Sequence, residues 1–246
     1  MSINVSDIAA NIHQVQQRIA EAGEQSGRQP GDVALLAVSK TKPVEALRAA
    51  YQAGQRRFGE NYLQESLDKM DRLQDLDIEW HFIGPLQSNK TRNVAERFDW
   101  VHTIDRDKIA RRLNDQRPAN LPPLNVCLQV NIDDEASKSG VAPEQLGKLT
   151  EAVIAMPRLR LRGLMAIPAP SEHIDQQRQS FARVAQLQRE LREAYPNYDG
   201  FDTLSMGMSR DMAAAIAEGA TMVRIGTDIF GQRDYTNTSN SNKDTA

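Results

Sequence analysis

Eight short strand-like runs, separated by segments of helical period, set the narrowest limit on what this chain can become. The runs are Val33–Ser39, Arg57–Glu60, Glu79–Ile83, Trp100–Ile104, Leu124–Asn131, Leu161–Ala166, Thr203–Ser205 and Met222–Ile225. A helix starting near Pro43 and stopped by Gly54 follows the first run, and helical patterns lie near 62–74, 89–97, 106–115, 143–156, 172–194 and 209–218. Strands that alternate with helices predict a parallel sheet joined by right-handed crossovers. Eight of them predict an α/β fold of the closed, TIM-type (β/α)8 barrel kind. An open doubly wound sheet is the rival, but its first turn would carry G-x-G-x-x-G. Here that turn reads Ser39-Lys40-Thr41-Lys42-Pro43. Ile8, Ile12, Val15, Ile19 and Ala22 add an amphipathic helix over 6–25, ahead of the first strand. We therefore expect a single barrel domain over residues 1–235 with an extra N-terminal helix, and a disordered polar tail over 236–246.

Composition enters mainly to exclude. The 246 residues are 40% hydrophobic and 26% charged, which suits a packed core. A net charge of −3, without a basic face, argues against nucleic acid as a partner. No apolar run approaches the ~20 residues of a membrane span, and no basic-then-apolar leader is visible, so a cytoplasmic protein off the membrane is expected. The single cysteine, Cys127, lies in an apolar run and reads as a buried small hydrophobe. The acidic loop Asp133-Asp134-Glu135 reads as solvated, like Lys138 beside it, and no metal site is expected.

In a barrel of this kind, residues at the C-terminal strand ends project into the site. Lys40 sits at such an end, after Leu35-Leu36-Ala37-Val38-Ser39. A lysine held among apolar neighbours loses its proton more readily and can form an imine with an aldehyde. Lys42 reads as the more ordinary surface lysine. At the other end of the chain, Ser205-Met206-Gly207-Met208-Ser209 follows the seventh strand and Gly226-Thr227 ends the eighth. Barrels often bind phosphate with these two loops; alternatively, Ser209 caps the helix that follows. A lysine on the first strand and a phosphate cradle on the last two favour a phosphorylated aldehyde, with pyridoxal 5'-phosphate the expected ligand. Arg224 lies inside an apolar strand, where an unpaired charge is costly. It either points at the ligand or pairs with a carboxylate such as Asp202. Facing a pyridine nitrogen, it would keep that nitrogen unprotonated and weaken the ring as an electron sink. Asn61 either bonds a ring substituent or caps a helix. His81 lines the barrel or is a satisfied core histidine, and Met165 packs or stacks on a ring.

The motifs Ala37-Val38-Ser39-Lys40, Phe58-Gly59-Glu60-Asn61-Tyr62, Trp80 through Lys90, Gly163-Leu164-Met165, Ser205 through Ser209 and Arg224-Ile225-Gly226 resemble those of the pyridoxal phosphate homeostasis protein family. These YggS/PROSC-like proteins have a barrel similar to the N-terminal domain of alanine racemase. The resemblance implies that Lys40 carries the coenzyme as a Schiff base and that Ser205, Ser209, Gly226 and Thr227 hold its phosphate. It also implies that Arg224 faces the ring nitrogen and that Asn61 lies near the ring. Such proteins are regarded as carriers or regulators of the coenzyme, without established turnover. A racemase takes a second base, a tyrosine, from a β-rich domain of its partner subunit, and this chain ends soon after its eighth strand. The expected function is therefore to hold, buffer and hand on pyridoxal phosphate to apo-enzymes, as a monomer. A small amino-acid racemase is the alternative.

Overall fold

The structure is a computed structural model in which residues 7–133 and 139–232 are described. The expected tail over 236–246, together with Asp134, Glu135 and Lys138, lies outside the described residues. The strands are β1 (Ala34–Val38), β2 (Arg57–Glu60), β3 (Glu79–Phe82), β4 (Trp100–Ile104), β5 (Leu124–Gln129), β6 (Leu159–Met165), β7 (Thr203–Ser205) and β8 (Met222–Ile225). They pair in chain order into a closed barrel, with β8 returning to β1 in parallel. The helices are α1 (Ile8–Gln25), α2 (Val44–Gln52), α3 (Leu63–Arg72), α4 (Thr91–Arg97), α5 (Asp107–Gln116), α6 (Pro143–Ile154), α7 (Ile174–Ala194), α8 (Met212–Ala217) and α9 (Thr227–Phe230). The sequence pattern missed α9, because a single turn of four residues is too short to show a period.

The strands present different chemistry on their two sides. Outward residues such as Leu35, Ala37, Phe58, Phe82, Val101, Leu128, Leu164 and Val223 are buried in one continuous apolar layer under the helices. The extra helix joins that layer through Ile8, Ile12, Val15 and Ile19. Burying each of these four contributes about 2 kcal/mol relative to exposure. α1 packs on α2, α8 and α9, beside the seam where β8 meets β1. Asn11 Nδ2 donates to Ile229 O at 3.0 Å and Arg18 pairs with Asp228 at 2.5 Å, so the helix also anchors the turn after β8.

Inside the barrel the packing is unusually polar. The lumen of such barrels is normally filled by Val, Ile and Leu, but here Trp100, Cys127 and Met165 form a small apolar cluster apart from the main core. His81, His102, Ser205 and Arg224 are buried there as well. Cys127 is fully buried, and burial pushes its thiol up to about 12, which leaves it inert at neutral pH. Among the described residues no helix is long and apolar enough to cross a membrane. No group of His, Cys, Asp and Glu there is arranged to hold a metal ion. Asp133 corrects the expectation of a solvated loop: its carboxylate accepts the Ala169 N–H and the Ser180 hydroxyl, which ties the end of β6 to α7.

Candidate functional site

The C-terminal mouth of the barrel collects Lys40, Asn61, Ser209, Gly226 and Thr227, each beyond a strand end, while Met165 ends β6 and Arg224 stands one residue before the end of β8. Leu36 pairs with Arg224 across β1 and β8, so Lys40 and Arg224 sit on neighbouring strands. Lys40 is half-buried. Gly226 lets the eighth strand's loop approach the first, since a Cβ there would lie 3.1 Å from Val38 O. Lys42 turns away and donates to Gly231 O and Gln232 O at 3.0 and 2.9 Å, which holds the chain after α9 against the β1 loop.

Behind Lys40 stands a buried ionic cluster that sequence reasoning missed. Lys69, on the inner face of α3, donates to Glu60 Oε1 at 2.8 Å, Glu65 Oε1 at 2.6 Å and Ser39 O at 2.8 Å. Ser39 Oγ donates to the same Glu60 oxygen at 2.5 Å, and the Thr41 N–H donates to Glu65 at 2.6 Å. Both residues flanking Lys40 are thereby fixed by charged partners. Thr41 is held at φ 63, a left-handed conformation that is strained for a β-branched residue. Glu60 is fully buried, and burial raises its carboxyl above the usual range despite the opposing pull of Lys69. The available signal was the Glu65–Lys69 spacing at i,i+4, with buried Ser66 and Met70 on the same face. That spacing reads first as an exposed helix pair.

Arg224 is 5% exposed. Its Nη1 donates to Ser205 O at 2.5 Å and Ser205 Oγ at 3.0 Å, and its Nη2 donates to Ala166 O at 3.0 Å. This corrects the alternative in which Arg224 pairs with Asp202, because Asp202 is bonded to Arg162 at 2.7 Å. Arg224 has no carboxylate within ion-pair distance among the described residues, and burial pushes it down to about 10. It stays a cation at neutral pH. Asn61 Oδ1 is buried without a hydrogen-bond partner, and Tyr62 occupies the N-cap of α3, so the capping alternative for Asn61 does not hold. Ser209 makes no cap either: Asp211 occupies the N-cap of α8 and its carboxylate accepts the Met208 N–H.

His81 lies within β3, below the mouth, and Ser205 ends β7 level with Met165. His81 Nε2 meets Glu79 at 2.8 Å and its Nδ1 meets His102 Nε2 at 2.9 Å, while His102 Nδ1 meets Ser205 Oγ at 2.8 Å. The Ser205 hydroxyl is therefore engaged inside the barrel by His102 and Arg224. Met165 packs on Trp100 and Cys127. His102, unmarked in the sequence reading, shares a strand face with Trp100 two residues before it, and that alternation was the signal for it. A groove of about 1200 Å³, lined by Arg28, Arg57, Glu79, Asp99 and Asn125, opens at the opposite, N-terminal end. In these barrels that end serves stability rather than chemistry.

Burial lowers the pKa of both His81 and His102. Below about pH 6.5 the unfolded chain binds protons at these positions that the folded protein refuses. Stability should thus be full above that pH and fall as pH drops from it, by up to about 1.4 kcal/mol per pH unit per histidine. Glu60, shifted upward, contributes with the opposite sign. Urea midpoints between pH 7.5 and 5.5, compared for wild type and His102→Gln, isolate the histidine; equal slopes in the two proteins would refute the assignment.

The chain has counterparts among known proteins. Residues 3–234 match the family model described as alanine racemase, N-terminal domain. A pyridoxal phosphate homeostasis protein of Pseudomonas aeruginosa is 61% identical over 231 residues, covering 94% of this chain and 98% of the relative. The Escherichia coli K12 protein of the same name is 58% identical, with 94% and 99% covered. Among solved structures, PipY of Synechococcus elongatus with PLP bound superposes with a TM-score of 0.80 at 36% identity, over 91% of this chain and all of that one. Alanine racemase from Corynebacterium glutamicum superposes at 0.69 with 19% identity; this chain spans 62% of its length, and the likeness is one of fold.

Proposed function

The chain belongs to the pyridoxal phosphate homeostasis protein family, and on that premise we propose that it binds pyridoxal 5'-phosphate at the C-terminal mouth of its barrel. The observation that carries the reading is a lysine and a buried, carboxylate-free guanidinium on adjacent strands of one mouth, Lys40 after β1 and Arg224 in β8. The partnerless Asn61 Oδ1 on the next strand supports it. When bound, the coenzyme supplies an aldehyde carbon that a neutral amine can capture. Lys40 is the amine in this reading, presented by the Ser39–Thr41 turn that Glu60, Glu65 and Lys69 hold in place. Ser209, Gly226 and Thr227 receive the phosphate. Asn61 lies beside the ring, and Arg224 offers fixed positive charge to the ring nitrogen. That charge disfavours ring protonation and so disfavours carbanion chemistry, which fits holding and handing on better than turnover. The relatives bear a homeostasis name rather than an enzyme's. We extend the reading to transfer of the coenzyme to apo-enzymes by a cytoplasmic monomer.

Purified protein incubated with the coenzyme should show a visible absorption band. Borohydride should fix that band to a peptide containing Lys40, and Lys40→Ala should lose both band and adduct. An adduct mapping to another lysine would overturn the assignment of the site. Sustained loss of optical purity in single-enantiomer amino acids would overturn the carrier reading in favour of a racemase.

A further inference from the structure

We propose that Glu79, His81, His102 and Ser205 form a one-directional hydrogen-bond chain through the barrel lumen that positions Arg224. The proposal rests on the reading of the mouth as a pyridoxal phosphate site, and it extends that reading to residues at the opposite end of the barrel.

The direction of the chain follows from its ends. A guanidinium can only donate and an ionised carboxylate can only accept. Arg224 Nη1 donates to Ser205 Oγ at 3.0 Å. The Ser205 hydroxyl proton then has His102 Nδ1, 2.8 Å away, as its acceptor. With Nδ1 accepting, neutral His102 carries its proton on Nε2 and donates to His81 Nδ1 at 2.9 Å. His81 in turn carries its proton on Nε2 and donates to Glu79 Oε1 at 2.8 Å. Every donor meets one acceptor, and no proton is left over. The reverse order would set the lone pair of a neutral His81 against the Glu79 carboxylate and leave the Ser205 proton without its partner.

Both histidines are fully buried, and stacking holds them: His81 lies on Trp100 at 5.2 Å between centroids and meets His102 edge-on at 5.1 Å. The charged groups that bear on this pair are Glu79, Asp99 and Arg57 at the N-terminal end and Arg224 at the other. The His81 hydrogen bond first, and then Arg57, whose Nε donates to Glu79 Oε1 at 3.1 Å, hold the Glu79 carboxyl below its usual range. The chain holds Nη1 of Arg224 on Ser205, while Ala166 O takes one proton of Nη2. The Nε–H and the second Nη2–H have no partner among the described residues, so they are the donors left for a ligand. The histidines and Ser205 act through Arg224 and are positioning residues.

The test begins on the protein without coenzyme. Nitrogen-15 NMR of histidine-labelled wild type at pH 7.5, assigned with His81→Asn, should show both His81 and His102 neutral and protonated on Nε2. Either ring protonated on Nδ1 would overturn the chain. Glu79→Gln, a change at a part-exposed position, replaces the acceptor-only end by a group that can also donate. It should give a second tautomer at His81 and His102; unchanged tautomers would refute the role assigned to the carboxylate. In the loaded protein, Glu79→Gln should also shift the pH midpoint of the visible band, although Glu79 sits at the far end of the barrel from Lys40. Altered tautomers with an unmoved midpoint would overturn the positioning role. A loaded wild type without any band would sink the cofactor reading, while the tautomer measurement would still decide the chain.

Discussion

Lys69→Met should destabilise the fold by about 3–5 kcal/mol, the cost of leaving one partner of a buried ion pair alone. Lys69 is 4% exposed, and its ammonium is a hydrogen-bond partner of the fully buried Glu60 carboxylate. Glu60 Oε2 already lacks a partner. Methionine supplies no charge, so Glu60 must either stay ionised in the core or take up a proton. The same substitution releases Ser39 O and frees Glu65 from the pair, which loosens the strained Ser39–Thr41 turn. Urea unfolding at pH 7.5 measures the loss, and the yield of borohydride-fixed adduct measures the damage to the site. Adding Glu60→Gln should restore part of the stability, with a coupling energy of about 0.5–3 kcal/mol, as expected for groups in direct contact. A loss below ~1 kcal/mol, typical of an exposed pair, would show that solvent screens the cluster.

Gly163→Ala is the second large effect. Gly163 has φ 146, which side chains rarely adopt, and a Cβ there would overlap Thr203 O and Gln188 Oε1. The position is structural: the β5–β6 register slips between Val126, opposite Leu161, and Cys127, opposite Gly163. Arg162 is the extra residue in this bulge, and it bonds Asn125 at 3.0 Å and Asp202 at 2.7 Å at the N-terminal end of the lumen. Gln188 cannot easily withdraw, because it accepts the Leu164 N–H and donates to Phe201 O. Backbone strain of about 1–3 kcal/mol and overpacking of about 1–3 kcal/mol together predict a loss of roughly 2–6 kcal/mol. Gly147→Ala is the control: it lies exposed in α6 with no atom near a built Cβ, and should gain up to about 1 kcal/mol. Equal urea midpoints for the two variants would refute the clash.

The alternation of strands and helices was legible because each βα unit writes its own period into a short stretch of sequence. Even the brief β2 and β7 followed that pattern, since neighbouring strands pair with each other in chain order. Lys40 stood out for the same reason: a lysine at the end of an apolar strand is a local feature. The Glu60–Lys69 pair did not stand out, since α3 has the composition of an exposed helix and only its docking buries Lys69. Nor did the bulge at Arg162 and Gly163, which exists only in relation to β5.

The sequence by itself determined the fold class and the extra helix ahead of the first strand. It did so because hydrophobic period and strand order are read within tens of residues. The tertiary structure decided what fills the lumen. His102 and Ser205 lie 103 residues apart on strands that are not neighbours, and they meet only because the sheet closes on itself. Closure removes these polar groups from water together, so each must find its partner across the barrel; no local pattern records which partner that is.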